Sequence, residues 1–386
     1  MSAERDIEFY RDQAEQGNGA AMSVLAYYYE EALKDPRRAF EWYMKSAQAG
    51  YVNAMSRVAD LLDNGIGTRK NQRKAFQWHL NGAEHGDVYA MFMAAVGLEI
   101  GVGGKEDLPG AFKWYLKAAE RGDADSMVEV ASFLEDGTGT KKDLREAFKW
   151  FLKAAKLGDL YSITAVADCL EEGIGTRKNA PATFRWRLKA AKAGDHSSQV
   201  NVGVSYFYGE GVKKDWGEAL KWYRRSARQG NLHAFNNLGR CYEDGAGVPQ
   251  NPRLAFKWFM RGAELGHPNS QDKVADRYAK GLGVKKDLRR AFKWYNEAAK
   301  QGHVDAQCSL AVCYHNGTGT RQNFSRSTYW YREAIAQGCS WSMHNLALCY
   351  RDGEGVKKSK RWARHWFEKS ATAGEKEAKA QLKELL

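Results

Sequence analysis

Residues 137–158 read GTGTKKDLREAFKWFLKAAKLG, and residues 281–302 repeat this stretch almost unchanged as GLGVKKDLRRAFKWYNEAAKQG. Glycines recur every 36 residues from Gly50 to Gly374, and tryptophans recur with the same spacing from Trp42 to Trp366. A fixed period of this length over ten consecutive units is typical of a solenoid of stacked repeats.

Each unit carries the pattern of two helices joined by a glycine-rich turn. We number positions from the glycine that ends the preceding unit. Small or apolar residues at positions 4, 8, 9 and 12 mark one face of a first helix. Glycines at positions 15 and 17 of nine units predict a C-terminal cap with positive φ and a tight turn. Asp, Asn or Ser at position 21 predicts the N-cap of a second helix. Asp143 with Glu146, and Asp215 with Glu218, have capping-box spacing.

These helix pairs can bury their apolar faces only against neighbouring pairs. We therefore predict an all-α fold, a right-handed α-solenoid of antiparallel helix pairs. The expected organisation is an N-terminal half-repeat or capping helix at residues 1–17 and one solenoid of ten repeats at residues 18–374. A C-terminal capping helix is expected at residues 375–386.

The repeated unit resembles the Sel1-like repeat family, a relative of the tetratricopeptide repeats. Residues 234–266, AFNNLGRCYEDGAGVPQNPRLAFKWFMRGAELG, match the family's pattern nearly throughout. The resemblance implies a non-enzymatic scaffold that binds a protein or peptide through a concave groove lined by the first helices. Some members are immunity proteins, so the alternative is an immunity or regulatory protein that inhibits a specific toxin or enzyme. Other, secreted members are linked to β-lactam binding, but their paired cysteines are absent here.

The composition of the chain bears on its cellular location, the charge of its partner and the state of its cysteines. No run of 18 apolar residues and no secretory signal are visible, so we expect a cytoplasmic protein without a transmembrane segment. The net charge of +12 is compatible with an acidic partner. Four of the six cysteines recur at one position of the repeat, which favours reduced core thiols; they are Cys169, Cys241, Cys313 and Cys349.

Motifs for chemistry are weak. Each glycine pair follows a helix rather than a strand, which is unlike a phosphate-binding loop. His303, Cys308, Cys313 and His315 lie in one unit and are residue types that bind zinc, but their spacing resembles no common zinc site. We therefore expect no enzyme activity, catalytic residue, cofactor or metal.

Positions 3, 6, 7 and 10 of the first helix vary between units, as expected of a groove that binds a partner. Asparagines at position 7 could hydrogen-bond the backbone of an extended peptide, although they could instead bond a neighbouring helix. An apolar patch at residues 92–96 could bind a partner or pack against the shortened first units, and Trp341 and His344 could form an aromatic anchor. The predicted partner-binding residues are Phe92, Met93, Val96, Asn201, Asn237, Arg240, Trp341, His344 and Asn345.

The second helices carry a basic ridge at positions 27 and 31. Cations four residues apart on a helix repel each other by about 0.2–0.5 kcal/mol per pair. The ridge could meet an acidic protein, a lipid surface or nucleic acid, or could serve only solubility. Nucleic acid is the least favoured, because the interleaved tryptophans are predicted to be core residues. The ridge comprises Lys113, Lys117, Lys149, Lys153, Arg185, Lys189, Lys221, Arg225, Lys257 and Arg261.

Overall fold

The computed structural model describes the backbone of residues 2–385 and the side chains of residues 7–384. The described residues form 22 helices and no strand, which confirms the all-α prediction. The chain divides into two compact units, residues 1–190 and residues 191–386. Met1 and Leu386, which the predicted terminal segments include, lie outside the described residues.

The helices alternate between first and second helices of the repeat. Those that begin in the first unit are α1 (Ser2–Glu15), α2 (Gly19–Glu31), α3 (Pro36–Gln48), α4 (Val52–Asn64), α5 (Gln72–Glu84), α6 (Val88–Glu99), α7 (Leu108–Glu120), α8 (Ala124–Asp136), α9 (Leu144–Leu157), α10 (Leu160–Glu172) and α11 (Ala180–Ala193). Those of the second unit are α12 (His196–Tyr208), α13 (Trp216–Arg228), α14 (Leu232–Asp244), α15 (Pro252–Glu264), α16 (Pro268–Lys280), α17 (Leu288–Lys300), α18 (Val304–Asn316), α19 (Phe324–Ala336), α20 (Ser340–Asp352), α21 (Lys360–Thr372) and α22 (Lys376–Leu385).

Within each unit, neighbouring helices pack on a core of alanines and large aromatic side chains. In the first unit Tyr115 and Phe151 are almost wholly buried among alanines. In the second unit Phe259 occupies the same position of its repeat and is fully buried. The small residues let the helices approach closely while one aromatic ring per repeat fills the space between them.

The turn between the two helices forms as the sequence predicts. In the repeat of α18 and α19, Gly317 ends α18 in the left-handed conformation with φ of 70°. The Asn323 side chain then caps α19 by accepting from the Arg326 N–H at 2.9 Å. The Asn323 N–H donates to the Tyr314 carbonyl at 2.8 Å, which closes the turn. The predicted cap at position 21 is present in all ten repeats.

The second glycine of the turn has an additional role between repeats. Gly319 has φ of 72°, and a Cβ placed on it would overlap the carbonyl oxygen of Leu288, at the start of α17 in the preceding repeat. The corresponding Gly283 meets the carbonyl of Pro252 in the same way. Only glycine permits this close approach of the two backbones.

The predicted capping boxes do not close. The Asp143 N–H donates to the Leu134 carbonyl at 2.8 Å, so Glu146 has no free donor to bond. Glu146 accepts instead from Lys149 at 2.7 Å, and Glu218 pairs in the same way with Lys221. The N–H of the N-cap residue thus bonds the carbonyl that closes the turn, and not the glutamate side chain as a capping box requires.

Candidate partner-binding surfaces

The first helices do not leave all four variable positions free of packing. Position 3 is exposed and position 7 is half-buried along these helices. Position 6 was predicted to be free, but Val200, Asp272 and Cys308 at this position are buried. The prediction is wrong for these three residues, because their side chains pack into the core, where Val200 joins a cluster with Leu220 and Phe235.

The apolar patch on α6 is largely engaged in packing. The Phe92 ring lies edge-on to Tyr115 with 5.6 Å between ring centroids. Phe92 and Val96 both pack on the core formed by residues 95–190, and thus not on the shortened first repeats. Met93 and Val96 also line a cavity of about 210 Å³ beside Phe76. A partner-binding role for these three residues remains a prediction.

Asn201 on α12 and Asn237 on α14 occupy position 7 of successive repeats, and both are half-buried. Among the described residues, neither side-chain amide has a hydrogen-bond partner. Asn237 borders a small cavity of about 50 Å³, whose wall also includes Tyr208 and Arg240. The Arg240 guanidinium donates to the Tyr208 hydroxyl at 3.3 Å, which holds the cation beside Asn237.

The third asparagine at position 7 differs from the other two. Asn345 donates to the Trp341 carbonyl on its own helix at 2.9 Å. This amide therefore bonds its own helix, and not a neighbouring helix as one of the two sequence-based alternatives proposed. The Trp341 side chain is 44% exposed, whereas His344 is half-buried against the ring of Phe367 at 5.4 Å.

The basic ridge is organised by its tryptophans. The cation at position 31 lies over the tryptophan three residues before it, as Lys153 does over Trp150 at 3.5 Å from the ring centroid. The same contact forms in seven repeats, and offsets the predicted repulsion with position 27. The pairs are Lys45–Trp42, Lys117–Trp114, Lys153–Trp150, Lys189–Trp186, Arg225–Trp222, Arg261–Trp258 and Lys369–Trp366.

The ridge residues at position 27 are also exposed. Lys149 and Lys221 pair with glutamates three residues before them, whereas Lys113, Arg185 and Lys257 form no ion pair within the described residues. Trp150 is buried as predicted, but Trp222 and most of its equivalents are only half-buried. The cations cover part of the exposed tryptophan faces, so these rings are poorly placed to stack on bases.

Sequence reasoning missed a series of buried amides in the second unit. Gln199 at position 5 of α12 donates to the Ala191 carbonyl at 3.1 Å and accepts from Gln229 at 2.9 Å. The equivalent pairs Gln301–Gln271 and Gln337–Gln307 form in the same way. In three repeats, glutamine occurs at both position 5 and position 35. This joint occurrence in the sequence could have predicted the paired amides.

A buried carboxyl on α16 was also missed. Asp272 is only 4% exposed and lies near Asp276, which accepts from the Tyr295 hydroxyl at 2.6 Å. Burial, and then the charge of Asp276, raise the pKa of Asp272 to about 7. A group with such a pKa changes charge near neutral pH.

The four residues considered for zinc do not form one cluster. His303 caps α18 by accepting from the Ala306 N–H at 3.2 Å, and Cys308 contacts Cys339 instead. His315 lies with Cys349 and Glu354, and the donor atoms of these three residues are within 4.8 Å of one another. Burial raises the pKa of Cys349 to about 12, so a metal bound there would have to displace the thiol proton.

The sequence model of the Sel1 repeat matches ten successive segments of the chain. They span residues 19–51, 52–87, 88–123, 124–159, 160–195, 196–231, 233–267, 268–303, 304–339 and 342–375. The chain belongs to the Sel1 repeat family. Proteins of this family typically act as scaffolds for protein interaction.

Two solved structures extend this result. The Sel1 repeat chain is 30% identical to a protective antigen of uropathogenic Escherichia coli, with a TM-score of 0.83 over 98% of this chain and 82% of that one. It is 26% identical to a Sel1 repeat protein from Oxalobacter formigenes, with a TM-score of 0.70 over 80% of this chain and 90% of that one. Both similarities support the solenoid fold. No curated protein sequence matches the chain. No described helix is long and apolar enough to cross a lipid bilayer.

Proposed function

We propose that this Sel1 repeat protein is a non-enzymatic scaffold that binds an extended, acidic segment of a partner protein along α12 and α14. The observation that carries the proposal is the pair of half-buried amides of Asn201 and Asn237, which occupy the same position of successive repeats and have no partner within the described residues.

An asparagine amide offers both a donor and an acceptor, which matches the N–H and C=O of an extended backbone. Two such amides one repeat apart can hold successive parts of one peptide without depending on its side chains. A half-buried polar group that lacks a partner in the free protein gains more from a ligand than one fully hydrated by water.

Arg240 adds a charge preference to this surface. Its guanidinium is held by Tyr208 beside Asn237, so little side-chain freedom is lost when a carboxylate binds. An arginine presents several donors in a fixed geometry and binds carboxylates in a bidentate manner. We therefore expect an Asp or Glu of the partner to lie near Arg240.

The test is a selection of displayed peptides on the purified protein, followed by affinity measurement of the enriched sequences. We expect acidic peptides whose binding weakens about 10- to 100-fold in the double variant Asn201→Ala/Asn237→Ala, because two hydrogen bonds are lost. Asn345→Ala is the matched control, because that amide is already bonded to its own helix. Equal affinities of the double variant and the parent would refute the peptide surface.

The binding partner decides between an adaptor and an inhibitor. Capture from native lysate at low and near-physiological salt, with the double variant alongside, identifies proteins that depend on this surface. If the captured protein is an enzyme or toxin whose activity falls on binding, the scaffold acts as an inhibitor. If only nucleic acid is recovered, and its binding falls steeply with salt in both the parent and the variant, the basic ridge becomes the better candidate for the binding surface.

A further inference from the structure

Two cysteines of successive repeats within residues 191–386 lie in direct contact. The Cys308 Sγ on α18 is 2.9 Å from the Cys339 Sγ, at the residue that precedes α20. No other pair of thiols lies within hydrogen-bonding distance among the residues that the structure describes. The Ser342 hydroxyl is also 2.9 Å from the Cys308 Sγ.

The two thiols have different environments. Cys339 is half-exposed and caps α20, with its sulfur accepting from the Ser342 N–H at 3.4 Å. The hydrogen bond between Cys308 and Cys339, followed by those with Ser342, lowers the pKa of Cys339. A helix N-terminus also favours a thiolate. Cys308 is buried, and its hydrogen bond to Cys339 together with burial raises its pKa.

We propose that Cys308 and Cys339 form a reversible redox pair, in which a peroxide oxidises Cys339 and Cys308 closes a disulfide that ties α18 to the start of α20. The accessible sulfur is the nucleophile and the buried one is the resolving thiol, an arrangement suited to a redox-sensitive site.

The steps balance with hydrogen peroxide as the oxidant. The Cys339 thiolate attacks one peroxide oxygen, so that an S–O bond forms, the O–O bond breaks and hydroxide leaves. The Cys308 sulfur then attacks the sulfur of the Cys339 sulfenic acid. An S–S bond forms, the S–O bond breaks, and the proton of Cys308 leaves with the hydroxyl as water. Two thiols are oxidised and one peroxide is reduced to two waters.

The cross-link would change how this part of the second unit opens. It would close a loop that contains the whole of α19 and would fix the first residue before α20, close to Trp341. A covalent loop restricts the unfolded chain and opposes local separation of α18 from α20. A thiol reductant would restore the freedom of these helices.

The test treats the purified full chain with hydrogen peroxide and then alkylates the remaining thiols in denaturant. We expect two of the six cysteines to resist alkylation, an intact mass lower by two hydrogens before labelling, and a single cross-linked peptide that joins Cys308 to Cys339. Dithiothreitol should return both thiols. Retention of all six thiols, or a cross-link between other cysteines, would overturn the proposal.

Three variants separate the roles of the two sulfurs. Cys339→Ser keeps a capping side chain and should leave all remaining thiols unoxidised under the same treatment. Cys308→Ser should stop at a sulfenic acid on Cys339 that dimedone traps. Cys313→Ser is the matched control on α18, because Cys313 has no thiol within hydrogen-bonding distance among the described residues, and this variant should cross-link at the parental rate. Loss of the Cys308 thiol at an unchanged rate in Cys339→Ser would contradict the assigned order.

Discussion

The second helices and two of the first helices, α12 and α14, use their polar side chains differently. On the second helices the cap at position 21 always bonds its own helix, and the cation at position 31 usually covers a tryptophan. On the first helices, position 7 holds the amides of Asn201 and Asn237, which have no hydrogen-bond partner among the described residues. Position 6 buries a carboxyl at Asp272.

This difference distinguishes residues that stabilise the repeat framework from residues that are available to bind a partner. A feature that recurs in every repeat has the same structural partner in every repeat, so it contributes to stability. A polar group that occurs in one or two units and lacks such a partner is not required by the repeat. The comparison therefore directs the search for binding to the first helices and the search for stability to the turns and second helices.

The largest effect should come from the framework turn. Gly319→Ala places a side chain in the left-handed region and overlaps its Cβ with the Leu288 carbonyl. We expect a loss of about 3 kcal/mol or more in the free energy of unfolding. Urea denaturation followed by circular dichroism measures the loss.

Gly338→Ala is the matched control for this change. Gly338 has φ of 87°, but a Cβ there would meet no atom within 4 Å. We expect only the conformational cost of about 1–2 kcal/mol. Equal losses at Gly319 and Gly338 would show that contact between repeats does not explain the second glycine of the turn.

The next effect concerns the buried carboxyl on α16 and has the opposite sign. The pKa of Asp272 is raised to about 7 by burial and by Asp276, so the folded state favours the protonated form. Its contribution to stability is present below the unfolded pKa of about 4 and is lost as the pH rises through 7. Asp272→Asn should therefore gain on the order of 2–4 kcal/mol relative to the parent between pH 4 and pH 8.

Denaturation midpoints across this pH range measure the gain. The control is Asp125→Asn, on an exposed aspartate of α8, because the exposed Asp305 of the adjacent first helix itself raises the pKa of Asp272. Lys273 and Lys280 also act on Asp272 and lower its pKa. A constant difference between Asp272→Asn and the parent at all pH values would mean that the carboxyl does not titrate in this range.

The smallest effect belongs to the second-helix surface. Lys153→Met removes the cation that lies 3.5 Å from the Trp150 ring centroid. We expect a loss of about 0.5–1 kcal/mol. Lys113→Met, at position 27 and without a ring contact or ion pair in the described residues, should change stability very little. Equal losses in the two variants would show that the contact between the cation at position 31 and its tryptophan does not stabilise the fold.

Much of the fold could be predicted from particular residues. The N-cap at Asn323 and the left-handed Gly317 depend on local backbone geometry, and both form as the sequence indicates. The capping box at Asp143 failed because its N–H belongs to the Leu134 carbonyl of the preceding helix. The prediction for position 6 failed at Val200, because a helical pattern gives the spacing of a face but not which neighbour covers it.

The sequence by itself determined the repeat, the two helices of each unit and their turns. These follow from local propensities and from a period repeated in register, so no long-range information is needed. Only the tertiary structure decided that Cys308 meets Cys339 and that Asn345, unlike Asn201, bonds its own helix. Such contacts depend on side-chain direction and on the approach of separate helices, which a one-dimensional pattern does not specify.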